Sequence, residues 1–116
     1  MQIDEYTFNI ETYQGDWGIP VPFTAKTEKG FAIGDEIRLI IDLGGGRYIT
    51  DSWTVDNPVT DFSFKLTEQQ ASDLFSGDIK NRVSFPYSIK RYRDGEYLDT
   101  IKDATFIVRG TVEWQN

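Results

Sequence analysis

An all-β, immunoglobulin-like antiparallel sandwich of about seven or eight strands is the fold class this 116-residue sequence predicts. Three observations carry that expectation. Apolar side chains recur at every second position in successive runs, aromatic residues are abundant (8 Phe, 6 Tyr and 3 Trp), and Gly, Asp and Pro interrupt the runs at short intervals. The stretch 82–114 is the clearest case. Val83, Phe85, Tyr87 and Ile89 alternate in one run, Phe106, Val108, Val112 and Trp114 hold alternate positions in another with Gly110 between them, and Asp94-Gly95 supplies a turn. Two strands that each bury one face need a second layer to cover them. The length suits one domain over residues 1–116, which buries on the order of 65% of the unfolded surface.

In chain order, residues 5–11 read as a strand, with Tyr6, Phe8 and Ile10 on its apolar face, and 13–18 as a glycine-containing loop that carries Trp17. Ile19, Val21, Phe23 and Ala25 resume the alternation. Pro20 and Pro22 lack backbone donors and fall on the same side of the alternation, which suits an edge strand or a strand whose outer ladder is incomplete. Phe31 and Ile33 are expected to fold back onto the core from a polar, glycine-containing segment. Residues 35–43 form the most apolar strand, with Ile37, Leu39, Ile41 and Leu43 inward, and Gly44-Gly45-Gly46 turns it into a return arm that places Trp53 and Val55 inward. These glycines do not make a phosphate loop, because Arg47-Tyr48-Ile49-Thr50 continues as a strand where such a loop requires a helix.

Phe62, Phe64 and Leu66 share the face of the next strand. A short helix near residues 67–76 then follows, opened by a capping box between Thr67 and Gln70, with Ala71, Leu74 and Phe75 on one side and Gly77 ending it. After residues 82–92 and the Asp94-Gly95 turn, a weaker run through Tyr97, Leu98 and Ile101 leads into the final strand. The inner face of residues 82–114 is expected to lie opposite Ile37, Leu39 and Ile41.

Composition excludes more functions than any motif suggests. With neither Cys nor His, the chain has no disulfide, no thiol nucleophile, no imidazole base and no Cys/His metal site. The net charge of −7, from 12 Lys and Arg against 19 Asp and Glu, argues against nucleic acid and anionic membranes as partners. The start of the chain has neither the basic nor the apolar region of a signal peptide, so synthesis in the cytoplasm without a dedicated export signal is expected. Asp16, Asp35, Asp51, Asp56, Asp61, Asp78, Asp94 and Asp103 crowd the turns, but without the spacing of a calcium loop. The acidic residues read as solvated and not as the acid and base pair of a glycosidase. No catalytic residue, cofactor, metal or small-molecule ligand is expected.

Aromatic and basic residues in loops and turns supply the candidate contacts: Tyr13 and Trp17 in the first glycine-containing loop, and Arg91, Tyr92, Arg93 and Tyr97 about the Asp94-Gly95 turn. Flat rings anchor a protein partner, stack on sugars, or serve as core and staple residues of the domain itself. The basic cluster of residues 90–93 either meets an acidic neighbour or protects a sheet edge.

The order of features is an early strand ending in Gly15-Asp16, the Ile19-Pro20-Val21-Pro22-Phe23 strand, a strand start at Gly34-Asp35, the Leu66-Thr67-Glu68 turn, a hairpin over residues 89–95 and Thr105-Phe106-Ile107-Val108 at the end. This resembles the immunoglobulin-like baseplate module of phages, typified by the amino-terminal domain of the upper baseplate protein of lactococcal phages. The resemblance implies a non-enzymatic virion component of tail or baseplate, with other virion proteins or a second copy as partners. A carbohydrate-binding module that recognises a cell-wall glycan through Trp17 and neighbouring tyrosines is the alternative.

Overall fold

The computed structural model describes residues 1–74 and 82–110. Among them are eight strands: β1 (Gln2–Ile3), β2 (Ile10–Tyr13), β3 (Val21–Lys26), β4 (Glu36–Gly44), β5 (Arg47–Thr54), β6 (Val59–Phe64), β7 (Arg82–Arg93) and β8 (Glu96–Arg109). One helix, α1 (Glu68–Asp73), joins β6 to β7, and a single 3-10 turn covers Thr27–Lys29. Six strands form a sheet in the order β1-β2-β8-β7-β4-β5, and β3 pairs with β6 in a second sheet. The expected sandwich-like, all-β architecture with one short helix is therefore present.

Alternation decides which side chains enter the core. Ile10, Ile37, Leu39, Ile41, Tyr87, Ile89, Phe106 and Val108 are buried on the larger sheet, and Val21, Ala25 and Phe64 on the smaller. Ile49, Val55, Leu66, Ala71 and Leu74 complete the cluster. Each large apolar side chain so buried stabilises the fold by about 1.5–3 kcal/mol. Trp53 of β5 is half-buried against Phe62, with ring centroids 4.8 Å apart, and Phe62 stacks on Phe23 at 5.5 Å. This aromatic row ties the edge of the larger sheet to the smaller one.

Several elements differ from the sequence expectation. Residues 5–8 are not strand. The Asp4 carboxylate accepts the backbone N–H groups of Tyr6 and Thr7 at 2.8 and 3.0 Å, and Phe8 adopts a positive φ of 64°, so a turn closes where alternation alone suggested extension. Those two backbone donors hold the Asp4 carboxyl below its ordinary pKa. Tyr6 is left on the surface, and the Tyr87 hydroxyl donates to the Phe8 carbonyl. Burial pushes the Tyr87 phenol well above its ordinary pKa.

The sandwich is also not wholly antiparallel, because β2 runs parallel to β8 with Ile10 beside Phe106 and Tyr13 beside Arg109. Leu39 and Ile41 do not face the β7–β8 hairpin across the core. They are cross-strand neighbours of Ile89 and Tyr87 in the same sheet, and the opposing layer comes from β3 and β6. Phe31 packs on the core as expected, whereas Ile33 is exposed.

The chain from 96 to 109 is one continuous strand. Its pattern weakens near Tyr97 because Leu98 and Ile101 are each an extra residue opposite β7: Tyr97 pairs with Tyr92, Asp99 with Arg91, Thr100 with Lys90 and Lys102 with Ile89. Phe75, Gly77, Val112 and Trp114 lie outside the described residues.

The capping box forms as predicted. The Gln70 N–H donates to Thr67 Oγ1 at 3.1 Å, and the Thr67 N–H donates to Gln70 Oε1 at 3.0 Å. Replacing Thr67 with Ala is expected to lower stability by about 1 kcal/mol, read as a shift of the urea midpoint with unchanged slope.

Candidate functional site

The closed end of the β7–β8 hairpin brings together four of the six residues singled out from sequence. Asp94 and Gly95 have φ values of 54° and 79°, the paired positive angles of a two-residue turn that suits strand twist. This turn sets Tyr92 opposite Tyr97 and Arg93 opposite Glu96. Alternation then divides the cluster between the two faces of the sheet.

Arg91 and Arg93 point inward and are already partnered. Arg91 Nε and Nη2 donate to the Asp99 carboxylate at 2.9 and 2.6 Å, and its Nη1 donates to the Gly30 carbonyl at 2.6 Å. Arg93 makes a two-pronged contact with Asp35, from Nε at 2.8 Å and Nη2 at 2.9 Å. Asp35 is only 1% exposed and also accepts the Ala32 N–H at 2.8 Å. Arg93 holds the Asp35 carboxyl below its ordinary pKa, its hydrogen bonds outweighing the opposing effect of burial. One acidic residue is thus buried and paired, contrary to the expectation that all lie solvated. These arginines fasten the segment before β4 onto the sheet, and β7 is an interior strand, so they do not guard an edge.

The outer face carries the exposed chemistry. Glu36 accepts from Arg38 Nε at 2.8 Å, which holds the Glu36 carboxyl below its ordinary pKa. The Arg38 guanidinium lies 3.9 Å from the Tyr92 ring centroid. Tyr92 meets Tyr97 edge to face at 5.8 Å, and Lys90 Nζ lies 5.7 Å from the Tyr97 ring. The hydroxyls of Tyr97 and Thr100 are 2.8 Å apart. Cations over tyrosine faces and an edge-to-face pair hold the rings in a fixed arrangement, so little side-chain freedom remains to be lost on binding. Beside them Tyr97, Leu98 and Ile101 are 55%, 44% and 40% exposed. The result is an aromatic and cationic row, Arg38-Tyr92-Tyr97-Lys90, on the outer face of the hairpin.

Tyr13 and Trp17, each 53% exposed, do not join it. Tyr13 is level with Arg109, so nearly the whole 14-residue length of β8 separates it from Tyr97, about 40 Å at strand rise. Sequence reasoning missed Glu36, Arg38, Asp35 and Asp99. Asp35 alone carried a local signal, as a charged residue where an apolar strand starts. Among the described residues no group of three acidic side chains converges as a metal site. The described residues thus define an all-β domain with an exposed aromatic and cationic row at one hairpin end and a separate aromatic loop. No protein-family model, curated protein or solved structure matches the chain.

Proposed function

We propose that the chain is a non-enzymatic assembly module of a bacteriophage virion, in tail or baseplate, that binds another virion protein through the outer face of the β7–β8 hairpin. The virion assignment rests on the resemblance in the order of strand, turn and helix residues described above. The contact assignment rests on one observation, the exposed row Arg38-Tyr92-Tyr97-Lys90 on the outer face, with Leu98 and Ile101 of the same strand also exposed. Tyr and Arg are the residues most often found to anchor protein interfaces, and a preordered row suits a permanent assembly.

The test is to purify virions encoded by the genome that carries this chain and label them with an antibody against it. Label on the tail is expected, and purified particles without the chain would sink the proposal. Tyr97→Ala should weaken binding to the virion partner by about tenfold or more while leaving the fold intact, because the ring is exposed.

Half-exposed Trp17 favours a second reading, stacking on a cell-wall glycan. Titrating solubilised cell wall should then change Trp fluorescence in the wild type and not in Trp17→Phe. An unresponsive wild type removes this reading.

A further inference from the structure

We propose that the free edge of β5, with the cleft between β5 and α1, docks an extended basic segment of a partner protein, which adds to the larger sheet as a further strand. This surface differs from the β7–β8 row, and the proposal holds whether or not the partner is a virion protein. Unpaired strand edges invite such additions, and folded proteins ordinarily blunt them.

The other edges are blunted or short. The exposed part of β8 carries two extra residues, Leu98 and Ile101, that break its regular edge. β1 is two residues long, β3 contains Pro22, and β6 has six residues. β5 has eight residues, no proline and an uninterrupted run of partners from Thr54 to Tyr48, and the irregularity between Asp42 and Gly44 puts the extra residue on β4. β5 is therefore the longest regular free edge among the described residues.

A cleft of about 470 Å³ lies along it, with Arg47, Tyr48, Ile49 and Thr50 of β5 on one side and Gln70 and Asp73 of α1 on the other. An edge strand beside a helix is an arrangement in which backbone hydrogen bonds supply affinity and a cleft selects alternate side chains. Within the cleft Arg47 and Asp73 balance, and the exposed carboxylate of Asp51 beyond it adds a negative charge that selects a basic occupant. Asp51 follows Ile49 on the inward side of β5, and Asp73 lines the cleft. Both are exposed, and among the described residues they accept hydrogen bonds only from close neighbours, the Ser52 N–H and the Gln69 side chain. Among the described residues neither forms an ion pair, whereas Arg38, Arg91, Arg93 and Arg109 all do. Arg47 is the one cation of β5 and sits at its hairpin end, so a basic side chain is accommodated nearer Asp51. A second copy fits poorly, because pairing two β5 edges about Asp51 sets carboxylates opposite each other and each chain carries a net charge of −7.

The test uses two ten-residue peptides, one alternating Thr and Lys and one alternating Thr and Glu, titrated into isotope-labelled full chain at low salt. The Lys peptide should shift the amide resonances of β5 together with Gln70 and Asp73, and bind about tenfold more tightly than the Glu peptide. The double variant Asp51→Lys/Asp73→Lys, which alters only exposed side chains, should reverse that preference. Neither peptide moving β5, shifts confined to other strands, equal binding of both peptides, or a dimer of the free chain by light scattering would each overturn the proposal.

Discussion

Replacing Phe106 with Ala is expected to lower stability by about 3–5 kcal/mol, a large part of the total for a domain of this size. Phe106 is fully buried and sits where three strands meet: its backbone is level with Ile10 of β2 on one side and Phe85 of β7 on the other. Truncation removes the transfer energy of the ring and leaves a cavity that flanking strands cannot close without breaking register. Urea unfolding followed by Trp fluorescence would read the loss as a lower midpoint. Phe106→Leu, which retains most of the volume, should lose much less. Equal stability of wild type and Phe106→Ala would show that this ring is not central to the core.

The second large effect concerns Asp35. Asp35→Ala should cost about 2–3 kcal/mol at neutral pH, because a buried carboxylate bonded to Arg93 and the Ala32 N–H is lost. Arg93→Ala should be worse, since it leaves the carboxylate buried without its cation. The sign of the pH dependence follows from the depressed folded-state pKa of Asp35. A carboxyl titrating lower in the folded than in the unfolded chain contributes stability above its unfolded pKa, about 4, and that contribution disappears as pH falls through the folded value. The difference between wild type and Asp35→Asn should thus be full at pH 7 and shrink toward pH 2. Because Glu36 and Asp4 also titrate low, the difference between the two proteins, and not either acid limb alone, isolates Asp35. A gap that stays constant from pH 7 to pH 2 would disprove this role.

Much of the fold was readable because burial imposes a period of two. The inward sets of β4, β7 and the end of β8 followed from Ile37, Leu39, Ile41, Tyr87, Ile89, Phe106 and Val108, and the capping box from two residues three apart. What alternation cannot supply is which sheet a strand joins. Nothing in Ile37-Leu39-Ile41 distinguishes a neighbour of β7 from a strand packed across the core, since both bury the same face. It also fails where a side chain competes for backbone donors, as Asp4 does, and where extra residues shift the phase, as Leu98 and Ile101 do. The contact cluster was half readable for the same reason. Tyr92 and Tyr97 flank a turn and meet through local pairing, but Arg38 reaches Tyr92, and Asp35 reaches Arg93, only because β4 pairs with β7, bringing together residues more than fifty positions apart.

The parallel pairing of β2 with β8 has a mechanical consequence. Tension on the two ends of the chain pulls β2 from its start and β8 from its finish, along the strands and in opposite directions. After the two-residue β1 peels away, the registered pairs from Ile10 to Tyr13 are strained together and not one after another. Stretching along this direction is thus expected to load the four β2–β8 pairs in shear, which single-molecule stretching would record as a single rupture.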